Sequence, residues 1–438
     1  MMRICASLSS ADDLRSGDLA KADIIEIRTD VFNTVPKDIL RDGQTGMISF
    51  KGDVDVSMVP EGWIADTGCA SAEGIKGETI SSYHDFRGTP SADDIFHIMA
   101  SMDGDIVKGA FAVNSLADAV TLFDVSRRIG RHVIIGMGEL GKITRIRQRE
   151  MMNEFTFAYV GKETAPGQMS VSEMRNIGDD GIITGIIGSG IEYTKSPAMH
   201  DASFSHMNIR GKYLRFDTPS LDRLNDFITD FNIRGVNVTK PYKTAVIEYI
   251  DGCDRMSEEI KAVNTVVNDN GVLKGYNTDV HGIEAALKMN SVDVNGKRAL
   301  ILGSGGAARS CAYFLRENDC DATITSRNPE TAKKIASEFA LTFRERNSVA
   351  VKGYDIIINC IPLNKSSGIS EYPIKIEQTD PRQTVFDMVY GETHLNELAV
   401  KKGCTVVRGE DMLAHQGVKA FELFTRRKTD FRIMRDAV

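Results

Sequence analysis

Two short stretches carry side chains whose chemistry their surroundings do not explain. In MDGDIVKGAFAVNS (102–115), Ile106, Val107, Ala110, Phe111, Ala112 and Val113 read as a buried strand, and Lys108 stands in the middle of it. Two readings are open. At a strand end the ammonium reaches solvent; desolvated, the amine loses its proton more easily, by up to about 3–5 pKa units, and becomes a nucleophile toward carbonyl carbons. The second stretch is GKRALILGSGGAARSCAYFL (296–315), where Gly303, Gly305 and Ala308 fill a G-x-G-x-x-[G/A] spacing between a strand pattern and a helical one. Gly303, Ser304, Gly305, Gly306, Ala307 and Ala308 are therefore candidates to wrap a backbone loop around a pyrophosphate at a helix N-terminus. About twenty residues further on, an acid that grips the ribose hydroxyls is expected. The chain has Ser326, Arg327 and Asn328 there instead. An arginine at that place suits a 2′-phosphate, so NADP is expected over NAD; the alternative is an exposed arginine at a strand end.

The totals restrict what these groups can belong to. A chain of 438 residues is too long for one ordinary core, and two or three domains are expected. A formal charge of −8 speaks against a nucleic-acid surface, although clusters such as RIRQR (145–149) suit small anions. The start, MMRICASLSS, lacks the apolar core of a signal peptide, and no long apolar run predicts a membrane span. Seven scattered cysteines without a C-x-x-C pair read as reduced thiols of a cytoplasmic protein, and no His/Cys cluster has the spacing of a metal site.

The elements that must position these groups follow from the apolar runs. RICASL, IIEIRTD, GMISF, GWIADT, ETISSYHDF, DIVKGAFAV, HVIIGMG and FTFAYVG read as eight strands. With crossovers between them they predict a compact (β/α)8 barrel whose chemistry sits at the strand C-termini. The piece is short, about 175 residues against the usual ~200–250. The shortage lies between Phe50 and Thr79, where two barrel helices are expected to be vestigial. A new pattern begins at residues 176–181. Further strands are read at IITGIIG, KYLRFD and IRGVNVT, and then at RALIL, ATITSR, YDIIINCIP, TVFDMVY and CTVVRG. The last five predict a doubly wound parallel sheet of Rossmann type. The expected domains are a barrel over 1–177, a second over 181–287 joined by a C-terminal helix at about 411–438, and a dinucleotide-binding one over 288–410.

Before the glycine loop come NVTKPYK (237–243), AVNTVV (262–267) and GYNTDVHG (275–282). Singly, each reads as turns, caps and solvated lysines. In this order, and after GSGIEYTKSP (188–197), they resemble the shikimate dehydrogenase family, from about Gly185 to the C-terminus. The resemblance implies a two-subdomain enzyme in which Thr194 and Ser196 hold a substrate carboxylate. Gly190, Tyr193 and Thr194 stand where that family has Pro, His and Ser. It further assigns Thr239, Lys243, Asn264 and Asp279 to the ring hydroxyls and the reacting oxygen, with Tyr390 (VFDMVYGE) and Gln416 (EDMLAHQG) lining the same cleft. As a pair, Lys243 and Asp279 make chemical sense, because an ammonium beside a carboxylate can hand a proton to a forming alkoxide.

Upstream of Lys108 lies SSYHDFRGTP (81–90), with His84 at a strand end, where it reads either as a core histidine or as a catalyst. Together the two resemble type I 3-dehydroquinate dehydratase, over about residues 1–175. The resemblance takes in Glu26 and Arg28 in IIEIRTD, Arg145 in GKITRI, and Thr164 and Gln168 in ETAPGQ; Lys51 and Asp55 stand where the family has an arginine and a glutamate. It implies that Lys108 condenses with a ketone to an imine, an electron sink for the neighbouring carbon. His84, a group that titrates near neutrality when free, would remove that carbon's proton and return it to the departing hydroxyl. Arg145, with Arg28, would clamp the carboxylate, and the Thr164–Gln168 loop would serve as a lid.

The expectation is thus a fused enzyme for two consecutive steps of the shikimate pathway. It would dehydrate 3-dehydroquinate to 3-dehydroshikimate without a metal, and reduce that product to shikimate with NADPH. Two other readings stay open: an active shikimate or quinate dehydrogenase with a weakened or inactive barrel, and a non-catalytic metabolite-sensing regulator. A sensor has no need of nucleophile and proton donor together. The sequence leaves oligomeric state open.

Overall fold

Alternation along the strands decides the first half. The structure, a computed structural model, describes residues 2–36 and 38–438. Its first eight strands are β1 (Ile4–Leu8), β2 (Ile24–Arg28), β3 (Thr45–Ser49), β4 (Ile64–Asp66), β5 (Thr79–Asp85), β6 (Ile106–Ala112), β7 (His132–Met137) and β8 (Thr156–Val160), one in each of the eight expected runs. They pair in parallel in the order β7-β6-β5-β4-β3-β2-β1-β8. Between β7 and β8 the Asn153 amide takes the place of a strand peptide: it accepts the Ile134 N–H at 2.7 Å and donates to the Ile134 carbonyl at 2.9 Å.

Residues i and i+2 of a strand share a face. On six strands the inward pair runs from apolar to polar toward the C-terminus: Cys5/Ser7, Ile24/Glu26, Met47/Ser49, Ile64/Asp66, Ile80/Ser82 and Ile106/Lys108. The first members join Val133 and Phe155 in a sealed apolar plug. The second members are all buried, and Ser7, Glu26 and Lys108 among them line a cavity.

The barrel helices are α1 (Ala92–Ala100), α2 (Leu116–Ser126), α3 (Lys142–Ile146) and α4 (Val171–Ile177). Ser91, Ser115 and Ser170 cap α1, α2 and α4. Among the described residues, the connections from β1 to β5 hold only 3-10 turns, at Ala11–Arg15, Gly17–Lys21 and Val56–Met58. The expected shortage of helix between Phe50 and Thr79 is present, and it extends to the first two connections. Ser16 explains one of these: it ends the first 3-10 turn and caps the second, so neither grows into a helix.

Then follow β9 (Ile182–Gly188), α5 (Ser196–His206), β10 (Gly211–Asp217) and α6 (Leu224–Asp230). The chain forms two compact units, one running to Glu192 with Ile209–Arg234, the other comprising Tyr193–Asn208 and Gly235–Val438. In the first unit β9 and β10 pair in parallel. There α6 lies on α2, where the Phe123 and Phe231 rings meet edge to face at 5.3 Å.

The second unit holds β11 (Gly235–Val238), β12 (Gly252–Cys253), α7 (Arg255–Ile260), β13 (Thr265–Asp269), β14 (Val272–Tyr276) and α8 (Asp279–Met289). The β13–β14 hairpin, unforeseen from the sequence, turns at NDNG, an Asn-Gly signal for tight hairpins. A six-stranded parallel sheet follows, made of β15 (Arg298–Leu302), β16 (Asp321–Thr325), β17 (Thr342–Phe343), β18 (Ile356–Asn359), β19 (Thr384–Asp387) and β20 (Thr405–Arg408) in the order β17-β16-β15-β18-β19-β20. That is the doubly wound order, with its crevice where β15 meets β18. Its helices are α9 (Gly306–Glu317), α10 (Pro329–Phe339) and α11 (His394–Lys402). The expected single C-terminal helix is two, α12 (Gly409–Thr425) and α13 (Phe431–Asp436), broken at Arg426, which adopts a left-handed conformation. Helix α12 packs on α8 and α5. Among the described residues no helix is long and apolar enough to cross a membrane.

Candidate active sites

At the C-terminal end of the barrel strands lies a cavity of about 380 Å³. Glu26, Arg28, Lys51, His84, Lys108, Arg145, Thr164 and Gln168 all line it. Lys108 is buried, but it is not the bare desolvated amine that its strand suggested. Its Nζ lies 2.7 Å from Asp66 Oδ2 and 4.5 Å from the centre of the Phe157 ring. Burial pulls the lysine pKa down, yet the Asp66 and Glu26 carboxylates outweigh it and hold the amine above its ordinary value. Asp66 is pushed up by burial and drawn below the usual carboxylate range by Lys108. Its other oxygen accepts the Ser82 hydroxyl at 2.7 Å and the Gly68 N–H at 3.1 Å. Asp66 escaped the sequence reading, although it stands two residues past inward-facing Ile64 just as Lys108 stands past Ile106.

His84 sits exposed at the mouth, stacked on the ring of Phe86 at 6.1 Å. Its pKa is lowered to about 4, first by the protein packed around it and then by the Lys108 and Lys51 ammonium groups. The imidazole is therefore neutral at pH 7 and poised as a base, rather than titrating near neutrality. Glu26 accepts the hydroxyls of Ser7 and of Ser49, the latter at 2.6 Å. Arg28 is held bidentately by Asp30, at 3.1 and 2.7 Å. Lys51 is exposed and lines the cavity, and Asp55, which does not line it, caps the Val56–Met58 turn through the Ser57 N–H and hydroxyl.

Arg145 differs from these. It is 2 % exposed, and among the described residues its Nε has no partner and its one hydrogen bond reaches the Phe157 carbonyl at 3.5 Å. Burial lowers its pKa to about 10. The Glu163 carboxylate pulls the other way without overcoming burial, and a buried guanidinium with spare donors suits an anion. Above it the Gln168 side-chain oxygen accepts the Thr164 N–H and hydroxyl, both at 2.8 Å, which folds the loop over the cavity. The loop depends on Gly167 at φ +79°, where a Cβ would lie 2.2 Å from the Gly138 carbonyl oxygen.

In the second unit Lys243 Nζ lies 2.5 Å from Asp279 Oδ2. The other Asp279 oxygen accepts Asn264 Nδ2 at 2.8 Å, and Thr278 joins Asn264 to Gln416, whose Oε1 accepts the Thr278 hydroxyl at 3.2 Å. Thr278 was absent from the sequence reading. The Thr194 and Ser196 hydroxyls lie 3.3 Å apart. Tyr390, raised to about 12 by burial and by Tyr193, with the Thr194 hydroxyl pulling the other way, packs its ring 6.4 Å from that of Tyr193. Lys240 Nζ lies 5.1 Å over the Tyr193 ring. Thr239 is half-buried in the turn between β11 and Lys243, its carbonyl accepting the Tyr242 N–H at 2.9 Å.

The glycine loop fits a dinucleotide. Gly303 has φ +114°, open to glycine and strained for other residues, and a Cβ there would meet Ile361 at 3.1 Å. Above Gly305 the space is open, Gly306 opens α9, and Ala308 is buried where a larger side chain would not fit. A Cβ on Gly306 would crowd the Lys243 stem at 3.0 Å, so the loop adjoins the Lys243–Asp279 pair. Ser304 Oγ meets Ser326 Oγ at 2.9 Å and Thr331 Oγ1 at 2.7 Å, while Asn328 caps α10. Arg327 is exposed and lies 3.6 Å from Glu371.

Comparison with known proteins matches different families to successive parts of the chain. The family model for type I 3-dehydroquinase matches residues 53–179, and that for the shikimate dehydrogenase substrate binding domain matches 186–266. The models for an NADP oxidoreductase, coenzyme F420-dependent, and for the shikimate 5′-dehydrogenase C-terminal domain match 298–389 and 409–438. Shikimate dehydrogenase (NADP(+)) of Dehalococcoides mccartyi strain CBDB1 is 36 % identical over 264 residues, 57 % of this chain and 92 % of the relative. The enzyme of that name from Archaeoglobus fulgidus is 37 % identical over 265 residues, 58 % of this chain and 96 % of the relative. Among solved structures, shikimate 5-dehydrogenase of Thermus thermophilus with NADP(H) and shikimate has a TM-score of 0.54 and 31 % identity, covering 58 % of this chain and 98 % of that one. Quinate dehydrogenase of Corynebacterium glutamicum with NAD has 0.55 and 27 %, with the same coverage.

Proposed function

The chain belongs to the shikimate dehydrogenase family and carries a type I 3-dehydroquinase domain ahead of it, and on that footing we propose how the work divides between its two lysine–aspartate pairs. It is a bifunctional shikimate-pathway enzyme, a lyase and an NADP-dependent oxidoreductase in one chain. The observation that carries the division is that each compact unit encloses one such pair, Lys108–Asp66 in the barrel and Lys243–Asp279 beside the glycine loop.

In the barrel, Arg145 takes the carboxylate of 3-dehydroquinate. Lys108, held as an ammonium by Asp66 at rest, must shed a proton before it can attack. The nitrogen adds to the ketone carbon and the oxygen leaves as water. His84 then removes a proton from the adjacent carbon, and the imine draws in the electron pair. The ring hydroxyl departs as water with the proton that His84 returns, forming the conjugated double bond, and hydrolysis frees Lys108 and 3-dehydroshikimate. The unpartnered Arg145 and the intact Lys108–Asp66 pair favour this over a decayed barrel.

In the second unit, NADPH supplies a hydride to the ketone carbon of 3-dehydroshikimate. Lys243 gives the new alkoxide its proton, and Asp279, braced by Asn264, aims the ammonium. Thr194 and Ser196, with Tyr390, hold the carboxylate; Thr239, Asn264 and Gln416 address the ring hydroxyls. Residues 303–308 carry the pyrophosphate, and Ser326, Arg327 and Asn328 the ribose 2′-phosphate, which supports NADP and the biosynthetic direction over quinate oxidation. Seven free thiols, Cys311 and Cys360 among them at 3.9 Å, suit a reducing cytoplasm. The test is borohydride added with 3-dehydroquinate. A mass increase on Lys108 supports the imine; no adduct while 3-dehydroshikimate is still reduced would refute the dehydratase half.

A further inference from the structure

Helix α3 carries a second arginine that the reaction above does not use. Arg147 follows Arg145 by two residues, at the C-cap of α3, and is likewise 2 % exposed. Its guanidinium meets three backbone carbonyls: Nε donates to Phe231 at 2.9 Å, Nη2 to Asn232 at 2.9 Å and Nη1 to Asp179 at 3.3 Å. None of these carbonyls belongs to a barrel strand. The Phe231–Asn232 turn is itself seated on α2 by the Phe123–Phe231 ring pair and by Arg223 Nη1, 3.0 Å from Asp124.

Helix α3 has five residues and no side-chain cap at its start, too little to be stable by itself. Two ties hold it. At its start the Thr144 hydroxyl accepts the Gly136 N–H of β7 and donates to the Gly141 carbonyl, each at 2.8 Å. At its end the tie is Arg147. Between them lies Arg145, whose own contact at 3.5 Å orients it weakly, so its direction is inherited from the helix. We propose that Arg147 is a positioning residue for 3-dehydroquinate. By holding the end of α3 on the carbonyls of Asp179, Phe231 and Asn232, it aims Arg145 at the substrate carboxylate, and the dehydratase site thereby depends on the segment Ile209–Arg234 outside the barrel. The proposal rests on the reading of the barrel as a dehydratase.

Beside Arg147 lies a polar cavity of about 430 Å³, lined also by Arg149, Glu150, Asp180 and Asn232. Water can therefore reach the carbonyls if the guanidinium is removed, and truncation should loosen the tie without collapsing a core. The experiment compares full-length protein with Arg147→Gln and Arg147→Lys. In Arg147→Gln, KM for 3-dehydroquinate rises about tenfold to a hundredfold, the scale of a misaimed binding group. Its kcat stays near the original, borohydride at saturating substrate still labels Lys108 fully, and reduction of 3-dehydroshikimate is unchanged. Arg147→Lys, which keeps a charged donor, recovers part of the affinity. An unchanged KM in Arg147→Gln would overturn the proposal, as would kcat, labelling and reduction all falling together. Original protein that forms neither enone nor adduct would overturn the dehydratase reading and the proposal with it.

Discussion

Arg145→Met should make the protein more stable and its dehydratase nearly blind to substrate. The guanidinium is 2 % exposed with an unpartnered Nε, and burial brings its pKa from the ordinary arginine value down to about 10. At 1.36 kcal/mol per pH unit, that fall is worth about 3 kcal/mol against the charged form. The folded state binds this proton less firmly than the unfolded chain does, so at pH 7, below both values, the whole penalty is carried. Methionine fills much of the same space without the charge, and replacing a buried, poorly paired ion by an apolar side chain typically returns about 1–3 kcal/mol. For a unit of this size each kcal/mol moves the melting temperature by about 2–4 °C. Affinity goes the other way. Charge-assisted hydrogen bonds to a carboxylate contribute about 1.5–3 kcal/mol each, so KM for 3-dehydroquinate should rise about 10- to 100-fold. The assay pairs thermal unfolding with enone formation, and 3-dehydroshikimate reduction serves as the internal control. A variant that melts lower, or that keeps its KM, would show Arg145 to be a structural ion and not a vacant receptor.

Asp66→Asn removes the carboxylate that keeps Lys108 protonated, so half-maximal borohydride trapping should move to lower pH by about one unit or more; a profile that stays in place would count against the pair. The same change leaves a buried ammonium short of its partner and should lower stability by about 3–5 kcal/mol in denaturant titration. For His84, lowered to about 4, kcat/KM of dehydration should stay level from pH 8 to about 5 and fall only through a group near 4. An acid limb near 6.5 would contradict the assignment. Because the unfolded histidine binds its proton near 6.5 and the folded one only near 4, this group's contribution to stability is complete above that window and lost as pH falls through it. Arg327→Ala should raise KM for NADPH by about tenfold or more and leave KM for NADH unchanged, since only the former offers a 2′-phosphate; equal effects on both would remove Arg327 from cofactor selection.

Much of the fold was legible because its signals are local. Short apolar runs placed all eight barrel strands, and the strand–glycine–helix pattern at 296–315 placed the dinucleotide loop. The β13–β14 hairpin was missed because its Val/Asn-rich strands flank a turn with no long apolar run, and the break in the last helix because nothing nearby announces the left-handed Arg426. The barrel site shows the limit more clearly. Lys108, His84 and Arg145 could be named from sequence, but their protonation could not, since it is set by residues far away in the chain. Asp66 is 42 positions from Lys108 and reverses the direction that burial alone would give. Asp55 stands where the resembled family has a glutamate, yet this shorter acid, followed by Ser57, finds a local N–H and caps a turn. The ties of Arg147 lie 32 to 85 positions away and have no sequence signature at all.

If one chain runs two reactions in series on two separate lysines, a single coupled assay reads both. Purified protein is given 3-dehydroquinate without cofactor, enone absorbance is followed, and NADPH is then added. Absorbance should rise, and shikimate should then form with matching NADPH consumption. Lys108→Ala should abolish the first phase yet reduce supplied 3-dehydroshikimate normally, while Lys243→Ala should form the enone and stall. An enone signal that survives Lys108→Ala, or one variant that silences both phases, would contradict this division between the lysines.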